Sequence, residues 1–486
     1  MALPPIYTFN KNDVQDKLQS ILKIRLYNKQ KYGEVFTPED IINTMLKTLP
    51  NNVWYNPNLK WLDPCCGIGN FFIVVYMKLM ETLEKQFPNR EKRHSHIIEN
   101  MLYQVEYNKN NYNVAKHIFG NKANLVFGDF LKMKIGNLFN ITHFNIILGN
   151  PPYNSLGTKH YGIKNLYVDF SVKSFDIMQP NGYLLFIHPS AYRINNHKIQ
   201  GPNVDLNDIY TNKQIMEIHM YSQAQTAKIM DIMMNIDIIL IRNTENSKSH
   251  KTKIVDIHEK QSMIHIEPNT LIPNYGFTVL DKMKQKTSQV GSQIPIKLTS
   301  EKHAQNHNVK KSKYPNIHTI VSKGKRICFS AEPHSMMRVP KMIINGIGSH
   351  NYVYDDKEGK YGVTQIPAVV LNPSKNTKTL IQSSLFHYLV NATKIIGNNI
   401  SLKLQDYLPE IRDKIPSITD LYRYFGFSNS EIKDIENVDI PEFVNRDIES
   451  CYNENKMMNK TAYKNKKQKI FANKTRKVVK VNDSLY

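Results

Sequence analysis

The chain has 486 residues, 64 Lys and Arg against 42 Asp and Glu, a formal net charge of +22, and 41% apolar residues with 10% aromatic. That composition buries real cores and excludes a disordered chain, and the length allows two or three domains of about 100–200 residues each. No apolar run approaches the ~20 residues of a membrane span, the N-terminus lacks the pattern of a secretion signal, and four cysteines, with Cys65 and Cys66 adjacent, cannot form a disulfide scaffold. The expected setting is therefore cytoplasmic, with no membrane association, and the excess positive charge predicts a polyanionic partner.

Val14, Leu18, Ile21, Leu22 and Ile24 recur every three or four residues, predicting a helical segment within residues 1–30. Thr37-Pro38 reads as an N-cap and first helical position, with Asp40 in the capping-box place and the helix running to about Leu49. Short apolar segments then end at Asp63, Glu106, Gly128-Asp129, Gly149-Asn150 and His188-Pro189. Between them, residues 70–87, 108–119 and 167–179 have helical period. This alternation predicts an α/β, doubly wound parallel sheet, whose ligands bind beyond the carboxyl ends of the strands. Ile236–Ile241 reads as the last strand of a catalytic domain over 31–245. Residues 246–445 read as an irregular second region, with a helical stretch at 380–396. Two short helices follow within 418–435, hinged at Gly426 with Ser428 capping the second. In the tail, 446–486, ten Lys and Arg and no acid fall between Lys456 and Lys480. Such an arm screens phosphates by releasing their counterions, whatever the base sequence.

The strand ends carry the chemistry. Asp63-Pro64-Cys65-Cys66-Gly67-Ile68-Gly69-Asn70 is a tight glycine turn where backbone can approach a ligand closely. It lacks the triple-glycine spacing of dinucleotide enzymes and the lysine of a P-loop, so phosphate recognition is not expected. Asp63 suits an ammonium, Glu106 a pair of ribose hydroxyls, and Asp129 an adenine amino group. An adenosine bearing an amino acid, S-adenosyl-L-methionine, fits all three, although each acid alone could simply cap a turn. In Asn150-Pro151-Pro152-Tyr153, the Asn side-chain oxygen and the Pro151 carbonyl are two fixed acceptors. They can receive both hydrogens of a planar amino group, and Tyr153 offers a π-face to its ring.

The ordered set Gly33-Glu34-Val35-Phe36-Thr37-Pro38, Asp63 to Phe71, Glu106, Gly128-Asp129-Phe130 and Asn150 to Tyr153 resembles the gamma-class, Eco57I-like DNA adenine-N6 methyltransferases of restriction–modification systems. Tyr167 to Phe170 and Pro180 to Ser190 resemble the family's next two motifs. The likeness covers about residues 30–245, with a weaker one in 380–440 around Leu421 to Gly426. It implies a class I methyltransferase fold with a C-terminal target-recognition domain. Thr37 and Pro38 would line the methionine side of the cofactor. Asp63, Gly67 and Gly69 would hold its amino-acid part, Glu106 its ribose, and Asp129 with Phe130 its adenine. Asn150, Pro151, Pro152 and Tyr153 would form the catalytic tetrapeptide around an adenine flipped out of duplex DNA.

The implied partners are double-stranded DNA and a cognate restriction endonuclease, with the chain a monomer. Glu106 follows Asp63 by 43 residues, a long interval that the charged stretch 84–96 explains as an insertion. Ile229 to Asn235 lacks the aromatic that often forms a second wall for the base, leaving a Met to replace it. Competing readings are an RNA adenine-N6 methyltransferase, a protein glutamine-N5 methyltransferase and an inactive nucleic-acid-binding module. No metal site is expected. His94 and His96 lie in a charged stretch, and Asp256, Glu259 and Lys260 read as a surface turn.

Overall fold

Ile146 to Leu148, Leu184 to Ile187 and Ile238 to Ile241 are continuous apolar runs, the pattern of strands covered on both faces. A computed structural model of the protein describes residues 5–8, 37–153, 165–194, 204–298, 313–345, 350–364, 367–395, 402–411, 415 and 417–449. The expected N-terminal helix, Gly33 to Phe36 and the basic stretch from Lys456 lie outside them. The chain divides into two units, Met1–Phe277 with Asn391–Gly397, and Thr278–Val390 with Asn398–Tyr486.

The first unit is built on a nine-stranded sheet. Its strands are β1 (Trp61–Asp63), β2 (Leu102–Glu106), β3 (Asn124–Phe127), β4 (Phe144–Gly149), β5 (Met178–Pro189), β6 (Lys213–Tyr221), β7 (Ile236–Glu245), β8 (Thr252–Val255) and β9 (Gln261–Ile264). Their order is β3-β2-β1-β4-β5-β7-β6-β8-β9. β1 to β5 are parallel, and β7 runs antiparallel to both β5 and β6. This is the class I methyltransferase arrangement. Side chains alternate between two cores: Trp61, Ile146, Leu148, Leu185 and Ile187 enter one, Leu62, Ile147, Leu184 and Phe186 the other. The order reverses between β1 and β4, the switch point where such sheets open a crevice. Because β7 is reversed, its first residue, Ile236, pairs with Pro189 at the end of β5. The loop 231–235 therefore lies on the same rim as the carboxyl ends.

Helices Asn70–Thr82, Lys109–Phe119 and Leu166–Asp176 occupy the expected stretches, the first ending short of residue 87. The sheet, however, does not stop at residue 245. β6 mixes Glu217 and His219 with its apolar residues, and β8 and β9 are four residues long, so neither gives a strong apolar run. In β8 only Thr252 and Ile254 face inward, yet this suffices to extend the sheet to Ile264. No helix among the described residues is long and apolar enough to cross a membrane.

The second unit corrects the expectation of an irregular region. Its strands are β10 (Lys297–Leu298), β11 (Tyr314–Val321), β12 (Gly324–Ser330), β13 (Lys341–Ile344), β14 (Val353–Asp356), β15 (Gly362–Val363), β16 (Ala368–Leu371) and β17 (Asp447–Glu449). They form two four-stranded sheets, β10-β16-β13-β14 and β15-β11-β12-β17, around Ile317, Ile343, Val363 and Val369. Most of these strands are two to four residues long, and the longer β11 and β12 are broken by Asn, His, Lys and Arg, so they carry little periodic signal. Lys341 and Asp356 pair at 2.8 Å within this fold, both buried. The stretch 380–396 resolves into Lys375–Ile381 and Ser384–Thr393. Helices Ile418–Phe425 and Asn429–Glu436 meet at left-handed Gly426, and Ser428 forms a capping box with Glu431, as the sequence predicts.

Candidate active site

The turn after β1 is shaped by close approach. Gly67 and Gly69 have φ of 58° and 94°, and a Cβ on Gly69 would lie 2.2 Å from the Phe119 ring. Only glycine fits there. Gly69 precedes the helix Asn70–Thr82, whose first-turn N–H groups have no intrahelical partners. Cys66 N donates to the Val105 carbonyl at 3.0 Å. Gly67 N donates to Glu106 Oε2 at 2.7 Å and Asn108 N to Oε1 at 2.6 Å. The Glu106 carboxylate thus ties the two loops together.

Asp63 is fully buried. Its Oδ1 accepts from Cys65 N at 3.1 Å, while Oδ2 has no partner. Burial, with the charge of Glu106 adding to it, pushes its carboxyl up to about 8. A buried acid with one oxygen unsatisfied is a site for a cation. An amino acid's ammonium has the charge such a group would take. Gly149 presses on the same group: a Cβ there would be 2.9 Å from Asp63 Oδ1.

Asp129 is half-buried and largely occupied by its own turn. Its Oδ1 accepts from Leu131 N at 3.0 Å, and Lys132 stands 3.4 Å from Oδ2. Phe130 departs from the role the resemblance implies. Its side chain is 2% exposed, packed 5.1 Å from the Phe170 ring with the Lys173 ammonium 5.0 Å from its centroid. The ring anchors the turn from within the core and has no surface to offer an adenine.

Thr37 is not the N-cap. The helix Glu39–Thr48 starts after Pro38 without any side-chain cap. Thr37 is buried, and its Oγ1 accepts from Asn150 Nδ2 at 3.1 Å. Asn150 Oδ1 is buried without a partner, and Cys65 Sγ donates to the Asn150 carbonyl at 3.4 Å. Pro151 is buried and Pro152 exposed. Tyr153 is half-buried against the core that covers one face of the sheet. Its hydroxyl is buried without a partner of hydrogen-bonding geometry, and burial holds the phenol well above its usual range. Thr37, Asp63, Glu106 and Asn150 thus converge on one rim, through the contacts linking them and the register of β1, β2 and β4.

The two later motifs have structural work. Tyr167 stacks on His188 at 5.0 Å, and His188 Nε2 bonds Tyr210 Oη at 3.0 Å. His188 is fully buried and pushed down to about 4, hence neutral. Ser190 Oγ donates to Asp237 Oδ1 at 3.0 Å, and Arg193 pairs with Asp237 at 2.9 Å, both fully buried. This network joins the end of β5 to the start of β7. Sequence reasoning passed over Gln104, buried within apolar β2 with Oε1 unsatisfied and 3.3 Å from where a Gly69 Cβ would stand. A Gln amid apolar strand residues was the signal. At the 231–235 loop Met233 is 72% exposed, the only exposed large apolar side chain there among the described residues. No group of three or more His, Cys, Asp or Glu among the described residues could hold a metal ion.

Residues 20–184 match the N-6 DNA Methylase family. The chain is 26% identical over 275 residues to an uncharacterized adenine-specific methylase of Mycoplasma pneumoniae, covering 41% of this chain and 64% of that relative. It therefore spans less than two thirds of that relative's length. Among solved structures, the DNA-bound type IIL restriction–modification enzyme MmeI is similar over 88% of this chain and 77% of its own, at 11% identity and a TM-score of 0.50. The M protein of the type I restriction enzyme EcoKI is similar over 51% of this chain and 56% of its own, at 15% identity and a TM-score of 0.36. The MmeI likeness concerns fold, and it extends through both units.

Proposed function

We propose that the protein is a gamma-class, site-specific DNA methyltransferase that moves the methyl group of S-adenosyl-L-methionine to N6 of an adenine flipped out of duplex DNA. The observation that carries this reading is the pair of orphaned, buried acceptors on one rim: Asp63 Oδ2 for a cationic cofactor and Asn150 Oδ1 for an amino donor. The bound cofactor would supply an electrophilic methyl on a sulfonium. Asp63 would ionise against the ammonium, and Glu106 would accept from the ribose while bridging its loops. Asn150 Oδ1 and the Pro151 carbonyl would take the two amino hydrogens and draw the nitrogen toward a tetrahedral shape. Its lone pair would then be free for the methyl group that the cofactor supplies, with the sulfur leaving as a neutral thioether and the surplus proton passing to water. Positioning and acceptor contacts suffice, with no covalent enzyme intermediate. Tyr153 would face the base, with Met233 as its second wall.

The second unit would read the DNA sequence, and the tail beyond it would add phosphate contacts. Duplex DNA is the proposed partner, a restriction endonuclease acting at the same site the proposed associate, and the cytoplasm the proposed location. The test is incubation of the protein with duplex DNA and methyl-labelled cofactor, followed by mapping of modified adenines. Methylation at one sequence is expected. Asn150→Ala should keep cofactor binding and lose about a hundredfold or more in rate, as when one fixed transition-state interaction is removed. Label in RNA or protein, and none in DNA, would overturn the assignment.

A further inference from the structure

Asn150 is useful only in one orientation. With Oδ1 toward the crevice it accepts; with the amide reversed, Nδ2 would oppose the donors of an amino group. Nothing in the side chain itself chooses, because the terminal torsion of Asn is broad and nearly two-fold. The choice has to come from neighbours.

Two neighbours hold this residue, from separate parts of the chain. Asn150 Nδ2 donates to Thr37 Oγ1 at 3.1 Å, and Thr37 is only 4% exposed. On the other side Cys65 Sγ donates to the Asn150 carbonyl at 3.4 Å, fixing the peptide that leads into Pro151. Pro38, at φ −62°, restricts the backbone of Thr37 before it. The Tyr153 hydroxyl lies beside the same amide, and Asn150 Oδ1 is buried with no well-aligned hydrogen bond. We infer that Thr37 is a positioning residue that holds the Asn150 side chain by accepting from Nδ2, which leaves Oδ1 for the substrate, and that the Cys65 thiol is the weaker second point of the clamp. The substrate part of this inference rests on the function proposed above; the clamp itself does not. Thr37 acts through Asn150, so its loss should be felt in turnover rather than in cofactor affinity. Thr37→Val keeps the shape and removes the acceptor, whereas Thr37→Ser keeps the acceptor.

The clamp is tested without any reaction by selective 15N-asparagine labelling. The Asn150 side-chain NH2 pair is identified by its disappearance in Asn150→Ala. In Thr37→Val that pair should shift and exchange with water faster, and in Thr37→Ser it should stay near its original position. An unchanged pair in Thr37→Val overturns the clamp. With active enzyme, Thr37→Val should lower kcat about ten- to hundredfold, as for a misplaced catalytic group. Cofactor Kd, measured by calorimetry, should hold within about threefold, and Thr37→Ser should recover the rate. In an Asn150→Ala background Thr37→Val should add no further loss. A full additional loss there, or a weakening of the cofactor equal to the loss in rate, means that Thr37 only lines the cofactor and overturns the inference. Failure of the wild-type protein to methylate adenine would instead refute the proposed function, leaving the NH2 measurement to decide the clamp.

Discussion

Asp63 makes the sharpest predictions at the scale of a residue. Its folded pKa of about 8 lies above the ordinary value of 3.8, chiefly because of burial. The unfolded chain gives up this proton near pH 4 and the folded chain near pH 8. Between those values the native state binds the extra proton, so this group's contribution to stability falls as pH rises and levels off above 8. A cationic ligand needs the ionised form, so binding below pH 8 must expel the proton. Cofactor affinity should therefore climb up to about tenfold per pH unit toward pH 8 and then flatten. Calorimetry in buffers of different ionisation enthalpy should detect nearly one proton released at pH 6.5, and Asp63→Asn should abolish that release. Gly149→Ala would drive a Cβ to 2.9 Å from Asp63 Oδ1, and should weaken the cofactor at least tenfold by displacing the carboxylate. Tyr153 tests a different point. Its hydroxyl lies beside Asn150 without a well-aligned hydrogen bond, so Tyr153→Phe should keep activity and change stability by less than about 1 kcal/mol. Tyr153→Ala should lose activity. A Phe variant as inactive as Ala would assign the hydroxyl a chemical role.

Among the elements, the buried pair Arg193–Asp237 joins strands that meet only through reversal of β7. Asp237→Ala would strand the guanidinium in a fully buried site and should cost about 3–5 kcal/mol, read from denaturant midpoints. Ser428→Ala removes a capping box and should cost only about 1 kcal/mol. The contrast between those two sites also explains what the sequence could disclose. The helices around Gly426 were legible because caps and left-handed glycines are local devices. β1, β4 and the end of β5 were legible because strands buried on both faces are mostly apolar, and the turns after β1 to β5 carry polar residues or glycine. β6, β8 and β9 were hidden by polar residues on their open faces. The small sheets of the second unit were hidden because most of their strands are two to four residues long and the two longer ones, β11 and β12, mix Asn, His, Lys and Arg with apolar residues. At the site, residue identities were readable from motif order, but partnerships were not. Thr37 looked like a helix cap and holds Asn150. Glu106 looked like a ligand residue and also fastens two loops. Phe130 looked like a pocket wall and lies in the core. Such assignments depend on contacts between residues about forty to more than a hundred positions apart, which no local pattern encodes.

Across the whole molecule, charge and connectivity matter most. The basic stretch Lys456 to Lys480 should add affinity for any duplex. Removing residues 456–486 should lower the slope of log K against log salt by about 0.9 for each phosphate that is no longer neutralised, with the preferred site unchanged. Site selection with both forms at two salt concentrations checks this, and an altered consensus with an unaltered slope would reverse the division of labour. Connectivity is less obvious. The chain leaves the first unit after Phe277, returns for Asn391–Gly397, and leaves again. The returning residues are bonded in. Asn274 N donates to the Ala392 carbonyl at 2.7 Å. Asn274 Nδ2 reaches the carbonyls of Asn391 and Lys394, and Asn235 Nδ2 that of Ile395. Asn235 belongs to the 231–235 loop on the site's rim. Exchange of the second unit by recombination at a single crossover near 277 would therefore import a foreign 391–397 segment and unfasten that rim. A graft that preserves these seven residues needs three junctions, so shuffling of the second unit carries a built-in penalty, and designed chimaeras should be cut at 277, 391 and 397.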